Sequence, residues 1–90
     1  MSNKQLTWNE LEAEIFTPEE IAESRARVAL IASIIDARQA KGLSQKELAE
    51  ITGIKQPAIA RLEHGHISPS VDTINKLLAP LGKRLAVVDA

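Results

Sequence analysis

The segment 43–65, with the sequence LSQKELAEITGIKQPAIARLEHG, most narrowly limits what this chain can fold into. Ser44 begins it, and Glu47 three residues later completes a capping box, which predicts the start of a helix. Gly53 lies where this helix must end, because glycine readily adopts the left-handed conformation of a helix terminus. A second short helix is predicted over 56–64, where another glycine follows. The segment therefore predicts two short helices joined by a tight turn.

Two helices with a short turn that contains glycine form a helix-turn-helix unit, whose second helix lies in the major groove of DNA. That helix offers side chains that read base edges, since glutamine pairs with adenine, and arginine or lysine with guanine. The predicted base-reading residues are Lys55, Gln56, Pro57 and Arg61. The first helix presents free N–H groups at its start, and the predicted phosphate contacts there are Ser44, Gln45 and Lys46. The alternative is an ordinary pair of amphipathic helices whose polar residues are only solvated.

The order of residues is more specific than their periodicity. It runs GLSQ, ELA, GI, IARLE and G, and over about 31–81 the chain closely resembles the Xre-type helix-turn-helix of the lambda-repressor-like family. The resemblance implies that Arg38 pairs with Glu63, a structural ion pair that locks the preceding helix to the recognition helix. It also implies that His64 lies beside the DNA phosphate backbone.

Two further helices are predicted before this segment. Thr7 with Glu10 forms a capping box for a short helix, and the sequence TPEE at 17–20 starts a second helix that has no breaker until Gly42. This long helix would contribute its final part to the DNA-binding core, whereas its first part extends beyond what that core needs. Its candidate buried residues are Ile21, Val28, Ile31, Ile34 and Ile35.

The chain has only two aromatic residues, Trp8 and Phe16, and both lie in or next to the short first helix. Aromatic residues are enriched at the energetic centres of protein interfaces. This helix is therefore a candidate binding surface, with the candidate contacts Trp8, Leu11, Glu12, Ile15 and Phe16. The alternative is that the two aromatic side chains close the core.

At the other end, Ser70 caps a helix with Ile74, Leu77, Leu78 and Leu81 directed inward, and Gly82 ends it. The β-branched tail after it predicts a short strand. A single strand is not stable by itself, so its partner would be a second copy or a strand of another protein. The candidate dimerisation residues are Leu85, Val87 and Val88. The alternative is a tail that lies on the helical core.

The predicted fold is all-α: a lambda-repressor-like five-helix domain with an extra N-terminal helix or extension and a short C-terminal β-strand. It forms one folded unit with an extension at 1–30, a DNA-binding core at 31–81 and a tail at 82–90. The charge is divided in the same sense. Residues 1–37 carry three basic and seven acidic side chains, whereas 38–90 carry eight basic and five acidic ones. This division suggests two surfaces with different partners. The alternative is that the acidic residues only flank helix starts, where they interact favourably with the helix dipole.

Several classes of function have no support in the sequence. It contains no nucleophile–base pair, carboxylate pair or phosphate-binding glycine loop, so we do not expect an enzyme or a cofactor. His64 and His66 lack a third ligand, which argues against a metal site. The chain has no cysteine, no long apolar run and no signal sequence, so we expect a cytoplasmic protein of a prokaryote or phage that does not bind membranes.

From about Trp8 onward the chain also resembles antitoxins of the HigA type, through its N-terminal helix, the acidic first half of its long helix and the tail LGKRLAVV. The resemblance implies a homodimer that represses its operon on double-stranded operator DNA. It further implies a second partner, a small basic ribonuclease toxin of the RelE/HigB fold, for which an acidic surface provides complementary charge. The alternative is a stand-alone Xre-family repressor with no toxin partner.

Overall fold

The computed structural model describes residues 7–89, apart from the side chains of Glu12 and Ala13. Five α-helices and a final 3-10 turn follow one another as α1 (Trp8–Ile15), α2 (Pro18–Ala40), α3 (Gln45–Thr52), α4 (Gln56–Glu63), α5 (Val71–Leu78) and η1 (Ala79–Leu81). The all-α architecture is therefore confirmed. The prediction of a five-helix domain with an extra N-terminal helix needs correction. The described residues contain five α-helices in total, and the N-terminal helix α1 is one of the five.

The helices begin where short polar side chains cap them. Thr17 Oγ1 accepts a hydrogen bond from the Glu20 N–H at 3.1 Å, and the Glu20 carboxylate accepts one from the Thr17 N–H at 3.2 Å. Ser44 and Glu47 exchange the same two bonds at the start of α3, at 3.0 and 3.1 Å. Ser70 caps α5 by accepting from the Thr73 N–H. These local signals explain why the predicted helix starts agree with the observed ones.

The core is formed by the second half of α2 together with α3, α4, α5 and η1. Its buried apolar residues are Ile31, Ile34, Ala37, Leu48, Ile59, Leu62, Ile74, Leu77, Leu78 and Leu81. Two expectations for α2 need correction, because Val28 is 62% exposed and Ile21 is only half-buried. Ile21 and Val28 lie before Ile31, the first residue of α2 in the core. They have the helical spacing of the core residues, but no other helix of the core packs against that part of α2.

Residues 8–30, which we call the arm, extend beyond the core. The 23 residues of α2 span about 35 Å at 1.5 Å per residue, and the molecule measures 57 × 29 × 21 Å along its principal axes. Neither aromatic residue belongs to the core, since Trp8 is 69% exposed and Phe16 43%. The alternative that they close the core is therefore wrong for the single chain. None of the helices within residues 7–89 is long and apolar enough to cross a membrane.

The predicted C-terminal strand is absent from the described part of the tail, residues 82–89, which have no regular secondary structure. Its last backbone hydrogen bond to the core runs from the Lys83 N–H to the Leu78 carbonyl at 3.1 Å. Val87 and Val88 are exposed. The physical reason is that a strand needs a neighbouring strand for its N–H and C=O groups, and residues 7–89 of a single chain contain none.

Gly53 offers a direct test of the turn between α3 and α4. Its φ is +77°, and a β-carbon added there would meet no other atom within 4 Å. Gly53→Ala should therefore lower the free energy of unfolding by about 1–2 kcal/mol through backbone strain alone, measured by urea denaturation. Gly53→Asn should cost less, because asparagine tolerates the left-handed conformation. Equal losses in the two variants would contradict this explanation.

Candidate nucleic-acid interface

The turn between α3 and α4 is held by short-range hydrogen bonds. The Gly53 N–H donates to the Ala49 carbonyl at 2.9 Å and ends α3. Thr52 Oγ1 donates to the Leu48 carbonyl at 2.8 Å and accepts from the Ile54 N–H at 3.2 Å. Ile54 packs against the core. These contacts fix how α4 leaves the turn, and α4 is the predicted recognition helix.

The side chains on the outer surface of α4 are those expected to read bases. Lys55, Gln56, Pro57 and Arg61 are all exposed, whereas Ile59 and Leu62 on the opposite face are buried. Pro57 occupies the first turn of α4, where its missing N–H breaks no helical hydrogen bond. The Lys55 side chain makes no capping bond and remains available for another contact. The helix thus combines a buried apolar side with an exposed side that can donate and accept hydrogen bonds.

A buried ion pair attaches α4 to α2. Arg38 Nε donates to Glu63 Oε2 at 2.8 Å, and Arg38 Nη2 donates to Glu63 Oε1 at 2.9 Å. The side chains are 11% and 6% exposed, respectively. Arg38 Nη1 also donates to the carbonyl of Leu43, just before α3, at 2.8 Å. One guanidinium group therefore joins α2, the start of α3 and the end of α4.

The same network continues to the predicted DNA-facing residues. Gln45 Nε2 donates to Glu63 Oε1 at 2.8 Å, and Gln56 Nε2 donates to Gln45 Oε1 at 3.0 Å. Gln45 and Gln56 are each the first residue of their helix, so the two helix starts lie side by side. The sequence predicts Gln45 only as a phosphate contact, and it does not predict this bridge to Gln56. The sequence does show that Gln45 and Gln56 occupy the same position in their helices, the first residue. It does not show the distance between the two helix starts, so the bridge could not be predicted.

The network also determines the ionisation of Glu63. Burial by itself would raise the pKa of this carboxyl group. The hydrogen bonds from Arg38 and Gln45, helped by the positive charge of Arg38, outweigh burial and hold the pKa below its ordinary value. Glu63 therefore stays charged at neutral pH and keeps Gln45 and Arg38 oriented.

The start of α3 lies next to this network. Ser44 is the N-cap, and Gln45 and Lys46 follow in the first turn, whose N–H groups have no partner within the helix. Lys46 is exposed and Gln45 is half-buried. Backbone N–H groups together with a lysine side chain form an arrangement suited to a phosphate. The positions agree with the expected phosphate contacts, which stay a prediction.

His64 and His66 flank Gly65 at the end of α4, with ring centroids 5.9 Å apart. Both are exposed. Within residues 7–89 no group of three or more histidine, cysteine, aspartate or glutamate side chains could hold a metal ion. His64 lies immediately after the recognition helix, so its predicted phosphate contact is compatible with this position.

A family model described as "Helix-turn-helix" matches residues 34–88, which include the whole network around Arg38 and both helices of the turn. The chain belongs to the Xre-type helix-turn-helix family. It is 56% identical over 81 residues to an uncharacterised helix-turn-helix transcriptional regulator of Haemophilus influenzae, with 90% of this chain and 83% of that protein covered. It is also 41% identical over 49 residues to the transcriptional regulator PuuR of Escherichia coli, which covers 54% of this chain and 26% of PuuR.

A solved structure is similar over almost the whole length of both chains. It is a toxin–antitoxin module from Streptococcus pneumoniae, with a TM-score of 0.74, 50% sequence identity and 97% of each chain covered. The similarity therefore includes the arm and is not limited to the helix-turn-helix. This Xre-type chain is a helix-turn-helix transcriptional regulator, and its family is one that binds DNA.

The remaining predicted contacts lie outside the helix-turn-helix. In the arm, Trp8, Ile15 and Phe16 are exposed, Leu11 is half-buried, and the side chain of Glu12 falls outside the described part of the structure. The dimerisation candidates Leu85, Val87 and Val88 are exposed in the tail. The structure therefore brings the DNA-reading candidates together at one place, and the arm and tail candidates form separate surfaces.

Glu63→Gln should lower the free energy of unfolding by about 2 kcal/mol at neutral pH, because it leaves Arg38 buried without its counter-charge. In the unsubstituted protein, the lowered pKa of Glu63 adds stability that is fully present above the unfolded value, about 4.3. This stability is lost as the pH falls through the lowered folded value. Chemical denaturation between pH 7 and pH 3 should show a smaller loss in the variant than in the unsubstituted protein.

Glu50→Gln is the matched control, since Glu50 is an exposed residue on α3. It should leave both the stability at neutral pH and its pH dependence almost unchanged. If Glu63→Gln retained the full acid-induced loss, the assignment of that loss to the Arg38–Glu63 pair would be wrong.

Proposed function

We propose that this regulator represses its own operon from palindromic operator DNA and neutralises a small ribonuclease toxin of the RelE/HigB type. The arm carries the second half of this proposal. It extends beyond the DNA-binding core, exposes Trp8 and Phe16, and is included in the match to a toxin–antitoxin module at 50% identity. A plain DNA-binding core needs no such extension.

The DNA half of the proposal is built on α3 and α4. Gln56, Arg61 and Lys55 read base edges, and Ser44, Gln45 and Lys46 hold the phosphate backbone. Glu63 and Gln45 orient Gln56 before DNA arrives, so less side-chain entropy is lost on binding. Two copies present two such helices about 34 Å apart, one turn of DNA, to the two halves of a palindrome.

The toxin half is built on one side of the arm. Trp8 and Phe16 border a groove of about 350 Å³ together with Glu20, Glu23 and Arg27. Exposed aromatic residues supply contact area, and the carboxylates supply charge that complements a basic partner. Residues 1–37 carry a net charge of −4, from three basic and seven acidic residues, so a basic ribonuclease is attracted to this part of the chain.

Two substitutions separate base reading from backbone contact. Arg61→Ala should weaken binding to the operator by about 1–3 kcal/mol and relax specificity at one base pair. Lys46→Ala should weaken binding to operator and random DNA alike. It should also reduce the slope of the logarithm of the binding constant against the logarithm of the salt concentration by about one. Both are measured by fluorescence anisotropy, with DNA from upstream of the gene as the operator.

Lys76→Ala provides the control, because it removes an exposed lysine from α5, outside the helix-turn-helix. It should change operator binding by less than either variant. Base reading by α4 is refuted if Arg61→Ala binds operator and random DNA as the unsubstituted protein does.

Co-expression with the small open reading frame beside the gene tests toxin binding. The tagged protein should co-purify with a small basic protein. Trp8→Ala and Phe16→Ala should each weaken this complex by about 2 kcal/mol, as expected for aromatic residues at the centre of an interface. The double variant Ile51→Ala/Val71→Ala is the control, since it truncates two similarly exposed apolar residues outside the arm.

The outcomes are distinct. Loss of the complex only in the arm variants supports the arm as the toxin-binding surface. Equal retention in all variants places the toxin elsewhere on the chain. If no protein co-purifies while operator binding persists, the chain is a stand-alone repressor, and the toxin half of the proposal is wrong.

A further inference from the structure

The two histidines of this chain, His64 and His66, lie together just after the last residue of α4. Their ring centroids are 5.9 Å apart, and the ring planes are inclined by 33°. Both residues are exposed, and within residues 7–89 neither ring has a hydrogen-bond partner. Histidine is the side chain whose charge ordinarily changes between pH 5 and pH 8. The side chains of this kind are therefore gathered at one place, where both can bind a ligand.

The backbone after α4 holds the pair close to the predicted base-reading face. The Gly65 N–H donates to the Leu62 carbonyl at 3.0 Å, and the His66 N–H donates to the Arg61 carbonyl at 3.0 Å. Gly65 allows this reversal with a φ of +77°. His66 is thereby tied to the same turn of α4 that carries Arg61. Residues at the end of a helix in the major groove lie near the phosphates that border that groove.

The charges around the pair suit an anion. Glu63 comes directly before His64, but its carboxylate is already paired with Arg38 in the core. Burial raises the pKa of Glu63, whereas its contacts with Arg38 and, last in size, the charge of His64 lower it. The other ionisable residues of the adjoining elements are Arg61 on α4 and Asp72 in the first turn of α5. Protonated histidines would therefore add positive charge beside Arg61, with the nearest carboxylate already neutralised.

We propose that His64 and His66 in their protonated form bind one phosphate of the DNA backbone together, so that DNA affinity rises as the pH falls. The proposal rests on the DNA half of the proposed function and adds a means of regulation to it. A protonated imidazole donates from both ring nitrogens, and charge-assisted bonds to phosphate are about 2.8 Å long. Two rings 5.9 Å apart can therefore both reach a phosphate that lies between them.

The short distance between the rings couples phosphate binding to proton uptake. Two imidazolium rings this close repel each other, so simultaneous charging is disfavoured in the free protein. A phosphate between the rings supplies negative charge that offsets the repulsion. DNA binding therefore favours the doubly protonated pair and takes up protons from solution. By linkage, a lower pH must then increase the affinity for DNA.

A pair of histidines differs here from lysine or arginine, which would hold the phosphate at any physiological pH. It also differs from a base-reading residue. A phosphate contact carries no sequence information, so protonation of the pair should change the affinity for operator and random DNA by the same factor. Sequence specificity should stay constant while overall affinity varies with pH.

The pH dependence of DNA binding tests the proposal. Affinities of the full chain for DNA from upstream of the gene and for random DNA are measured by fluorescence anisotropy at constant salt, with EDTA present to remove metal ions. Both DNAs should bind about tenfold more tightly at pH 6 than at pH 8. The slope of the logarithm of the binding constant against the logarithm of the salt concentration should be steeper at pH 6 by about one per protomer.

The double variant His64→Gln/His66→Gln should show neither effect. Glutamine donates hydrogen bonds but takes up no proton, so the affinity should stay near the value of the unsubstituted protein at pH 8. The variant keeps Arg61, Lys46 and the amino terminus, so any other source of pH dependence would persist in it. If its affinity varied with pH as strongly as that of the unsubstituted protein, the proposal would be overturned.

A relocated histidine provides the matched control. Adding Asn75→His to the double variant places an exposed histidine on α5, outside the helix-turn-helix. This triple variant should bind DNA independently of pH, because its new charge does not lie beside α4. Recovery of the full pH dependence would show that a histidine anywhere on the surface suffices, which contradicts a site at the end of α4. Circular dichroism at both pH values checks that all variants fold alike.

NMR titration provides a measurement that does not depend on affinity. The chain has two histidines, so its spectrum contains two imidazole titrations. Both should occur at higher pH in the operator complex than in the free protein, because a bound phosphate favours the protonated rings. Identical titrations in the two states would overturn the proposal even if the affinity depended on pH.

Failure of this proposal is distinguishable from failure of the proposed function. Operator binding with equal affinity at pH 6 and pH 8 would overturn the role of the histidine pair and leave binding by α3 and α4 intact. Absence of operator binding at both pH values would overturn the DNA half of the proposed function, and this inference with it.

Discussion

The ion pair between Arg38 and Glu63 is the contact on which the predicted DNA-reading surface depends. A buried pair of charges contributes little net stability, because desolvation offsets most of the attraction. Its effect here is geometric. The bidentate contact joins the end of α4 to α2, and the third nitrogen of Arg38 holds the carbonyl of Leu43 before α3. No buried side-chain nitrogen or oxygen within the described residues lacks a hydrogen-bond partner, as such a network requires.

The size of the core bears on the proposal that the arm binds a partner. Ten buried apolar residues come from α2 and the elements after it, and domains of this size have small stability margins. The arm adds no buried apolar residue to that cluster, yet its helices are ordered and its aromatic side chains remain in contact with water. Ordering these residues costs conformational entropy that the core does not repay. A binding partner that covers the arm would offset this cost.

How much of the structure could be predicted depended on how local the determinants were. Ser44, Glu47 and Gly53 act within a few residues of each other, so the helix starts and the turn were predicted correctly. Val28 follows the helical spacing of the core residues, but its burial depends on where the core ends, and spacing does not contain that information. Likewise, the tail has the composition of a strand, and a strand forms only where a neighbour exists. The bridge between Gln45 and Gln56 required the relative position of two helices.

The continuity of α2 bears on how the two proposed partners influence each other. This helix runs through 23 residues from the arm to the region of Arg38, so the arm and the anchor of the recognition helix belong to one element. If a basic protein on the arm changes the affinity for DNA, then DNA must change the affinity for that protein by the same factor. Charge gives a physical route for such coupling. The acidic half of the chain repels DNA phosphates, and a basic partner that neutralises it would reduce this repulsion, to an extent that salt screens.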